Sequence, residues 1–426
     1  MLKISYVFLL LVVLVSSRAY SYQLPLYCAL NGEINNDPEW IEKLNAWGAL
    51  TQPAKTMINN SHEMPLVKKY PGLINLPFVK LCDGPTPIQR LNVNPDQTTI
   101  ALFVKQDDVS ASPYGGNKPR KYQREIGRAL AHGAKTIITF GCAGSNHAVA
   151  MAEHATKLGL KTICMLNPQP NSSVVRKNLL LHLTNGTELH YYPDNNARKI
   201  GTIEKWQDHK NTYGDYPYII PTGGSTPLGT IGFVDALFEL KEQIDQGMLP
   251  EPEYIYVPCG SCATTAGLLL GIKALGLKTK IMAIATEPED TPDEFKQNII
   301  KLFIAANELL HATDPSFPLF NFPEENLIIN LDFTGPSYGT FTKEGMEARK
   351  LLKEKDDIIV EGTYTAKAFA ALLYDVSNQK VKGTILFWNT YCGNEFKERL
   401  ANADYKKLPV CFHAYFEEDV QELDKI

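Results

Sequence analysis

Gly115-Gly116-Asn117-Lys118-Pro119-Arg120-Lys121 is the stretch that decides how this chain reads. It sets one lysine in a glycine-rich turn, directly ahead of a proline suited to a first helical turn. Upstream, Ile100-Ala101-Leu102-Phe103-Val104 has the pattern of a buried strand, and Asp107-Asp108 opens the loop that ends in the glycine pair. Downstream, Arg120 to Ile126 begins a helix that closes near His132-Gly133. Lys118 therefore falls at a strand–loop–helix junction, where open parallel sheets carry their reactive groups. A lysine amine attacks an aldehyde only when deprotonated, and partial burial favours that state. The competing reading is a solvated lysine in a turn. Shortly after, Gly144-Ser145-Asn146-His147 makes a second turn into a helix, rich in hydroxyl, amide and N–H groups. Together the two turns suit a lysine that holds an aldehyde cofactor beside a site for an anionic substrate.

Working outward, strands and helices alternate. Residues 136–140 read as a strand, 147–158 as a helix, 162–166 as a strand and 173–183 as a helix. Residues 188–192, an arm through Trp206, and residues 218–220 continue the series. A second series places strands at 254–257 and 280–285, a helix at 264–275 between them, and a late strand at 384–388. This rhythm predicts α/β architecture with parallel sheets covered on both faces, in two units. Residues 22–81 look irregular and are expected to wrap the core. Residues 290–325, with several Pro and Asp, read as an insertion that departs from the compact pattern.

Composition sets the outer limits. The chain has 426 residues, 44% of them hydrophobic, enough for one large core or two moderate ones. The formal net charge is −5 and no basic run stands out, so a nucleic-acid partner has no electrostatic footprint. Tyr6 to Val15 is an apolar run behind a single lysine, followed by small residues and a plausible cleavage site at Ser17-Arg18-Ala19. It is too short for a comfortable span and reads as a signal peptide over residues 1–19, so the protein is expected to be exported, periplasmic or secreted, without stable membrane insertion. Eight cysteines follow the signal at spacings that define no disulfide framework.

Several motifs in order resemble a known family. Val104-Lys105-Gln106-Asp107-Asp108, the 115–118 turn and the 144–147 turn are similar to the fold type II pyridoxal phosphate enzymes, of tryptophan synthase β-like architecture. The branch is that of D-cysteine desulfhydrase and 1-aminocyclopropane-1-carboxylate (ACC) deaminase. Pro85-Thr86-Pro87, Ile220-Pro221-Thr222-Gly223-Gly224-Ser225, Gly335-Pro336-Ser337-Tyr338-Gly339 and Tyr364-Thr365-Ala366-Lys367-Ala368 agree in the same order. The resemblance implies two open parallel-sheet domains with pyridoxal 5'-phosphate between them. Residues 20–121 and 221–426 would form the larger, cofactor-binding domain, and residues 122–220 the smaller inserted one. It also implies a small amino-acid substrate and a homodimer.

The site follows in the same way. Pro258 to Gly267 lies between a strand and a helix, where free N–H groups and the helix dipole favour a phosphate. By resemblance Gly260, Ser261, Cys262, Ala263 and Thr264 hold the cofactor phosphate, although Cys262-Ala263 stands where two glycines are common. Cys259 and Cys262 form a C-x-x-C, whose competing reading is a redox pair or half a zinc site; without a second cysteine pair at metal spacing, no metal is expected. Asn146 is expected to meet the ring hydroxyl and Thr390 the ring nitrogen, in a segment where the family's Thr-Gly-Gly is Thr390-Tyr391-Cys392. A neutral hydroxyl at the nitrogen suits elimination. Lys118 is the expected cofactor lysine and the base at Cα, while Ser145, Tyr338 and Tyr364 are further catalytic candidates. Ser145, Asn146 and His147 would bind the substrate carboxylate. For His147 and for the tyrosines, ordinary packing is the alternative.

The family's two main reactions yield pyruvate, ammonia and sulfide from D-cysteine, or 2-oxobutyrate and ammonia from ACC. ACC deaminases generally carry glutamate where this chain has Thr365, which favours the desulfhydrase. Alternatives are ACC deaminase, an amino-acid racemase, or a cofactor- or ligand-binding protein without turnover.

Overall fold

The computed structural model describes Ile41, Leu44, Asn45 and residues 61–93, 100–286 and 291–425. The segment read as a signal peptide and most of the expected N-terminal wrap lie outside the described residues. The chain lays down β1 (Ile88–Arg90) and β2 (Ile100–Gln106), then leaves for β3 (Thr136–Cys142), β4 (Lys161–Asn167), β5 (Glu188–Tyr191) and β6 (Tyr218–Ile219). It returns as β7 (Tyr254–Cys259), β8 (Lys280–Ala285), β9 (Leu327–Asn330) and β10 (Gly383–Asn389). These strands make a six-stranded sheet in the order β1-β2-β10-β7-β8-β9 and a four-stranded sheet in the order β5-β4-β3-β6. Among the described residues every strand pairing is parallel except that of β1 with β2. The α/β class with two open parallel sheets is thus the one expected.

Parallel strands need crossover helices, and helices on both faces bury both sides of each strand. In β10, Leu386 and Trp388 enter the core shared with α5 (Pro227–Asp245), α6 (Ala263–Leu275) and α7 (Pro292–Thr313). Their neighbours Ile385 and Phe387 enter the opposite core with α8 (Lys343–Asp356) and α9 (Thr365–Ser377). All four side chains are fully buried. The smaller sheet is flanked by α1 (Lys118–Ala131), α2 (Asn146–Lys157), α3 (Ser173–Thr184) and α4 (Asn195–Tyr213).

Two expectations need correction. Residues 290–325 are not an insertion outside the compact pattern. They contain α7, whose Thr291 and Glu294 form a capping box and whose Phe295, Ile299, Phe303, Ala306 and Leu310 are buried. The proline and aspartate that read as interruptions, Pro292 and Asp293, stand where a helix start prefers them. The arm through Trp206 is a 19-residue helix, α4, capped by Asp194. It is anchored by Trp206, which stacks on Tyr216 at 3.8 Å and donates Nε1–H to the Pro217 carbonyl.

A buried ionic cluster fixes the start of α1. Arg120 bonds Asp107 at 2.8 Å and Glu239 at 2.9 Å; Lys105 meets Glu239 at 2.5 Å, and the Trp388 indole donates to Asp107 at 2.7 Å. Removing one partner of such a set strands a buried charge, at a cost of roughly 3–5 kcal/mol. The cluster joins β2, α1, α5 and β10, and Arg120 lies two residues from Lys118.

The C-terminal tail packs on the smaller sheet's helices. Leu408, Phe412 and Tyr415 are buried with Val175 and Leu179 of α3. Arg176 and Asn171 donate to the carbonyls of Tyr415 and Glu418. Gln421 then reaches the other unit: its Oε1 accepts from Phe341 N–H at 2.8 Å and its Nε2 donates to the Gly339 carbonyl at 3.2 Å. One strap therefore spans both sheets.

Candidate active site

The 115–118 turn is pinned on both sides. A side chain on Gly115 would run into the Asp108 carbonyl, and Gly116, at φ 87°, would bring a Cβ within 2.8 Å of the Thr390 carbonyl. Only glycine fits so close an approach at positive φ. Asn117 follows, its N–H donating to that same Thr390 carbonyl at 3.0 Å and its side-chain amide to Thr264 Oγ1 at 3.1 Å. Lys118 opens α1 and donates Nζ–H to Asn117 Oδ1 at 2.9 Å. Burial pushes its amine down to about 8, and the Glu361 carboxylate partly opposes that shift. Lys118 is half-buried and lines the cavity described below.

The strand-to-helix loop after β7 lies across the same cavity. Cys262 caps α6 in the left-handed region, at φ 65°, where a glycine would be unstrained. Its sulfur lies 3.8 Å from that of Cys259, and among the described residues no group of three or more metal-ligating side chains gathers. Gly223, at φ 71°, packs so close to Ser261 that a side chain there would overlap the hydroxyl and come within 2.8 Å of its Cβ. Lys121, which sequence reasoning missed, is fully buried and donates to the Gly223 carbonyl at 3.1 Å. Burial first, then Lys118, pushes its amine well below the usual range. Its spacing of three from Lys118 on one helix was the available signal.

The second turn lies at the start of α2. Ser145 caps that helix, its Oγ accepting from Ala148 N–H at 3.2 Å, so the N–H groups of Asn146 and His147 are left for a ligand. Asn146 Oδ1 accepts from Asn178 at 3.0 Å, which turns its own amide N–H outward as a donor. The His147 ring is committed elsewhere. Both ring nitrogens meet hydroxyl groups, Nδ1 that of Tyr122 at 2.5 Å and Nε2 that of Thr139 at 2.7 Å. Burial and the two lysines hold its pKa well below the ordinary histidine value. A neutral imidazole held at both nitrogens supports the wall; only the backbone of His147 offers a donor.

Tyr338 and Tyr364 come together from different segments, with hydroxyl oxygens 2.6 Å apart. Glu361, also missed, orders the start of α9: its carboxylate accepts from the N–H groups of Thr363, Tyr364 and Thr365 at 2.8, 2.9 and 3.1 Å. Tyr391 is buried, its hydroxyl accepting from Lys177 at 2.7 Å.

These groups line one cavity of about 480 Å³, within the size range of small-molecule sites. Of the expected residues, Lys118, Ser145, Asn146, His147, Gly260, Ser261, Cys262, Thr264, Tyr338, Tyr364 and Thr390 all line it. Ala263 does not; it is fully buried with its N–H turned to the Ser261 carbonyl. The donor set fits pyridoxal phosphate. Thr265 Oγ1 is buried with no hydrogen-bond partner among the described residues, beside a helix N-terminus, a glycine cradle and the buried Lys121.

Comparisons with known proteins agree. The sequence model of a family described as pyridoxal-phosphate dependent enzyme matches residues 79–390. D-cysteine desulfhydrase of Klebsiella pneumoniae (strain 342) is 31% identical over 326 residues, 75% of this chain and 95% of that protein. A crystal structure described as an ACC deaminase homologue is 28% identical with a TM-score of 0.66, covering 80% of this chain and 100% of that one. A crystal structure of threonine deaminase from T.th., 20% identical with a TM-score of 0.51 over 73% of this chain and 93% of its own, shares the fold.

Proposed function

The chain belongs to the pyridoxal-phosphate dependent enzymes and is a lyase or deaminase of that family; on this premise we propose that it converts D-cysteine and water to pyruvate, ammonia and sulfide. The observation that carries the reading is a lysine amine held near pKa 8 in one cavity with an anion-binding helix start and a pair of touching tyrosines. Thr365 in place of glutamate, and the 31% identical relative described as D-cysteine desulfhydrase, favour elimination of a thiol over ring opening.

When bound, pyridoxal phosphate supplies the electron sink that lets a Cα–H bond break. The chain's own groups do the rest. Lys121, the Thr265 hydroxyl and the N–H groups of Thr264 and Thr265 would hold the phosphate; Asn146 and Thr390 would contact the ring. Ser145 and the N–H groups of Asn146 and His147 orient the substrate carboxylate at the α2 dipole. Lys118, deprotonated to a useful degree near neutral pH, takes the Cα proton. The touching tyrosine hydroxyls can pass a proton towards the departing sulfur.

Purified holoenzyme should release pyruvate and sulfide in equal amounts from D-cysteine. Formation of 2-oxobutyrate from ACC, or optical inversion without keto acid, would overturn the assignment. Export through residues 1–19 to a periplasmic or secreted location, and a homodimer, belong to the same proposal. N-terminal sequencing of the secreted protein and light scattering test them.

A further inference from the structure

We propose that Arg198 gives this site a preference for amino acids carrying a second anion on the β-substituent, an inference that rests on reading the cavity as an amino-acid site. Arg198 lies in the first turn of α4 and lines the cavity with Gln169, Asn195 and Cys142. Its Nη1 donates to the Gly141 carbonyl at 3.2 Å, and its guanidinium lies 5.6 Å from the centre of the Phe140 ring. Among the described residues no carboxylate stands within ion-pair distance of it. The buried Arg120 and Arg124, by contrast, each meet a carboxylate, at 2.8 and 3.2 Å.

A half-buried guanidinium with most of its five donors unspent is costly unless an anion completes it. The anions already assigned have other partners. The phosphate takes Lys121 and the α6 N-terminus, and the α-carboxylate takes Ser145 and the α2 N-terminus. The one acidic side chain lining the cavity among the described residues, Glu361, turns its oxygens to three backbone N–H groups. Arg198 is nonetheless close to the substrate end. Its acceptor, Gly141, packs so near the α2 cap that an added Cβ would lie 2.5 Å from Ser145 Oγ. Gln169 adds to this wall; its Oε1 is used by Gly144 N–H at 2.9 Å, which leaves its amide N–H as a donor.

The chemical class that fits is a β-substituted alanine whose substituent X bears a carboxylate, sulfonate or phosphate. The net reaction is the one proposed above: the Cα proton is removed, X leaves with the electron pair of the Cβ–X bond, and water converts the remainder to pyruvate and ammonia. Nothing beyond water is consumed.

Two measurements on holoenzyme test this. Calorimetry compares succinate with butyrate, and kcat/KM compares S-sulfocysteine with cysteine, in wild type, Arg198→Leu and Arg198→Lys. Succinate should bind at least about tenfold tighter than butyrate in wild type, and the kcat/KM ratio should fall about 10- to 100-fold in Arg198→Leu, the range of one charge-assisted contact. Arg198→Lys, which keeps the charge and loses the planar fork, should lie between. Equal affinity for the two acids in wild type would overturn the proposal, even if a variant failed to fold. So would a loss of the same factor for neutral and anionic ligands, which would assign Arg198 to the α-carboxylate. Dianion preference without keto acid from any amino acid would sink the elimination reading and leave Arg198 standing. Pyruvate from D-cysteine without dianion preference would do the reverse.

Discussion

The depressed amine of Lys118 makes a prediction that can be worked through in numbers. With a pKa of about 8 instead of 10.5, its reactive, deprotonated fraction is about a tenth near pH 7, about half near pH 8 and about nine-tenths near pH 9. Cofactor-free protein mixed with pyridoxal phosphate in a stopped-flow spectrometer should therefore show a capture rate that climbs to about pH 8 and then levels. An ordinary lysine would keep gaining roughly tenfold per unit up to about pH 10. The sign for stability follows from the same shift. Because the folded value lies below the unfolded one, the unfolded chain holds more protons between about pH 8 and 10.5, so the cofactor-free protein gains stability as pH rises through that window. The second arm is Glu361→Gln. The carboxylate raises the Lys118 value, so its removal should move the capture midpoint to lower pH. A midpoint near 10 in wild type, or an upward shift in Glu361→Gln, would refute the argument that burial sets this amine.

Three further outcomes are expected. Lys121→Met removes one charge-assisted contact worth about 1.5–3 kcal/mol, so equilibrium dialysis should show pyridoxal phosphate bound about 10- to 100-fold more weakly and phosphate-free pyridoxal unaffected; equal weakening of both would place Lys121 away from the phosphate. Gly223→Ala forces a side chain onto Ser261 at φ 71° and should cost about 1–3 kcal/mol, read as a lowered Tm and poorer cofactor retention, and an unchanged Tm would contradict the cradle. Gln421→Ala strands the Phe341 N–H and loosens the loop bearing Tyr338, so kcat should fall several-fold while cofactor affinity holds; a fall in affinity alone would show that the strap serves a different element.

What the sequence disclosed about this fold was what local physics dictates. The run Ile385-Leu386-Phe387-Trp388 announces a strand buried on both faces, because helices cover each side and no position needs to be polar. The lysine turn was legible because Gly115, Gly116 and Pro119 are local conformational signals. α4 escaped because few of its residues are buried and its polar composition leaves little periodicity to read; Gly201, Thr202, Ile203, Trp206 and His209 carry its packing. α7 escaped because Pro292 and Asp293 serve both as helix starters and as chain breakers, and only the buried face from Phe295 to Leu310 decides between the two. Gly223, Glu361 and Arg198 reach the cavity from segments about 80 to 240 residues from Lys118, a juxtaposition set by sheet order and not by spacing. His147 shows the opposite limit: its place in the motif was legible, but the commitment of both ring nitrogens to Tyr122 and Thr139 was not.

The departures around the cofactor loops bear on whether such a site still works. Cys262 adopts a left-handed conformation at a cost of about 1–2 kcal/mol that glycine would avoid, yet the loop keeps its turn and its place at the α6 N-terminus. Tyr391, standing where the family has glycine, uses its bulk: it accepts from Lys177 of α3 and so ties the loop after β10 to the smaller sheet's helices. The tail reinforces the same junction through Asn171 and Gln421. A site drifting out of use would be free to lose first the groups that destabilise the bare protein. Here Lys118 and Lys121 stand one helical turn apart, both depressed by burial, and the only carboxylate acting on Lys118 among the described residues is already spent on backbone N–H groups. Among the described residues each amine has one hydrogen bond, to Asn117 Oδ1 and to the Gly223 carbonyl, and in their charged forms the two repel each other. An aldehyde for one and a dianionic phosphate for the other would relieve both at once, which is what a protein that binds this cofactor requires.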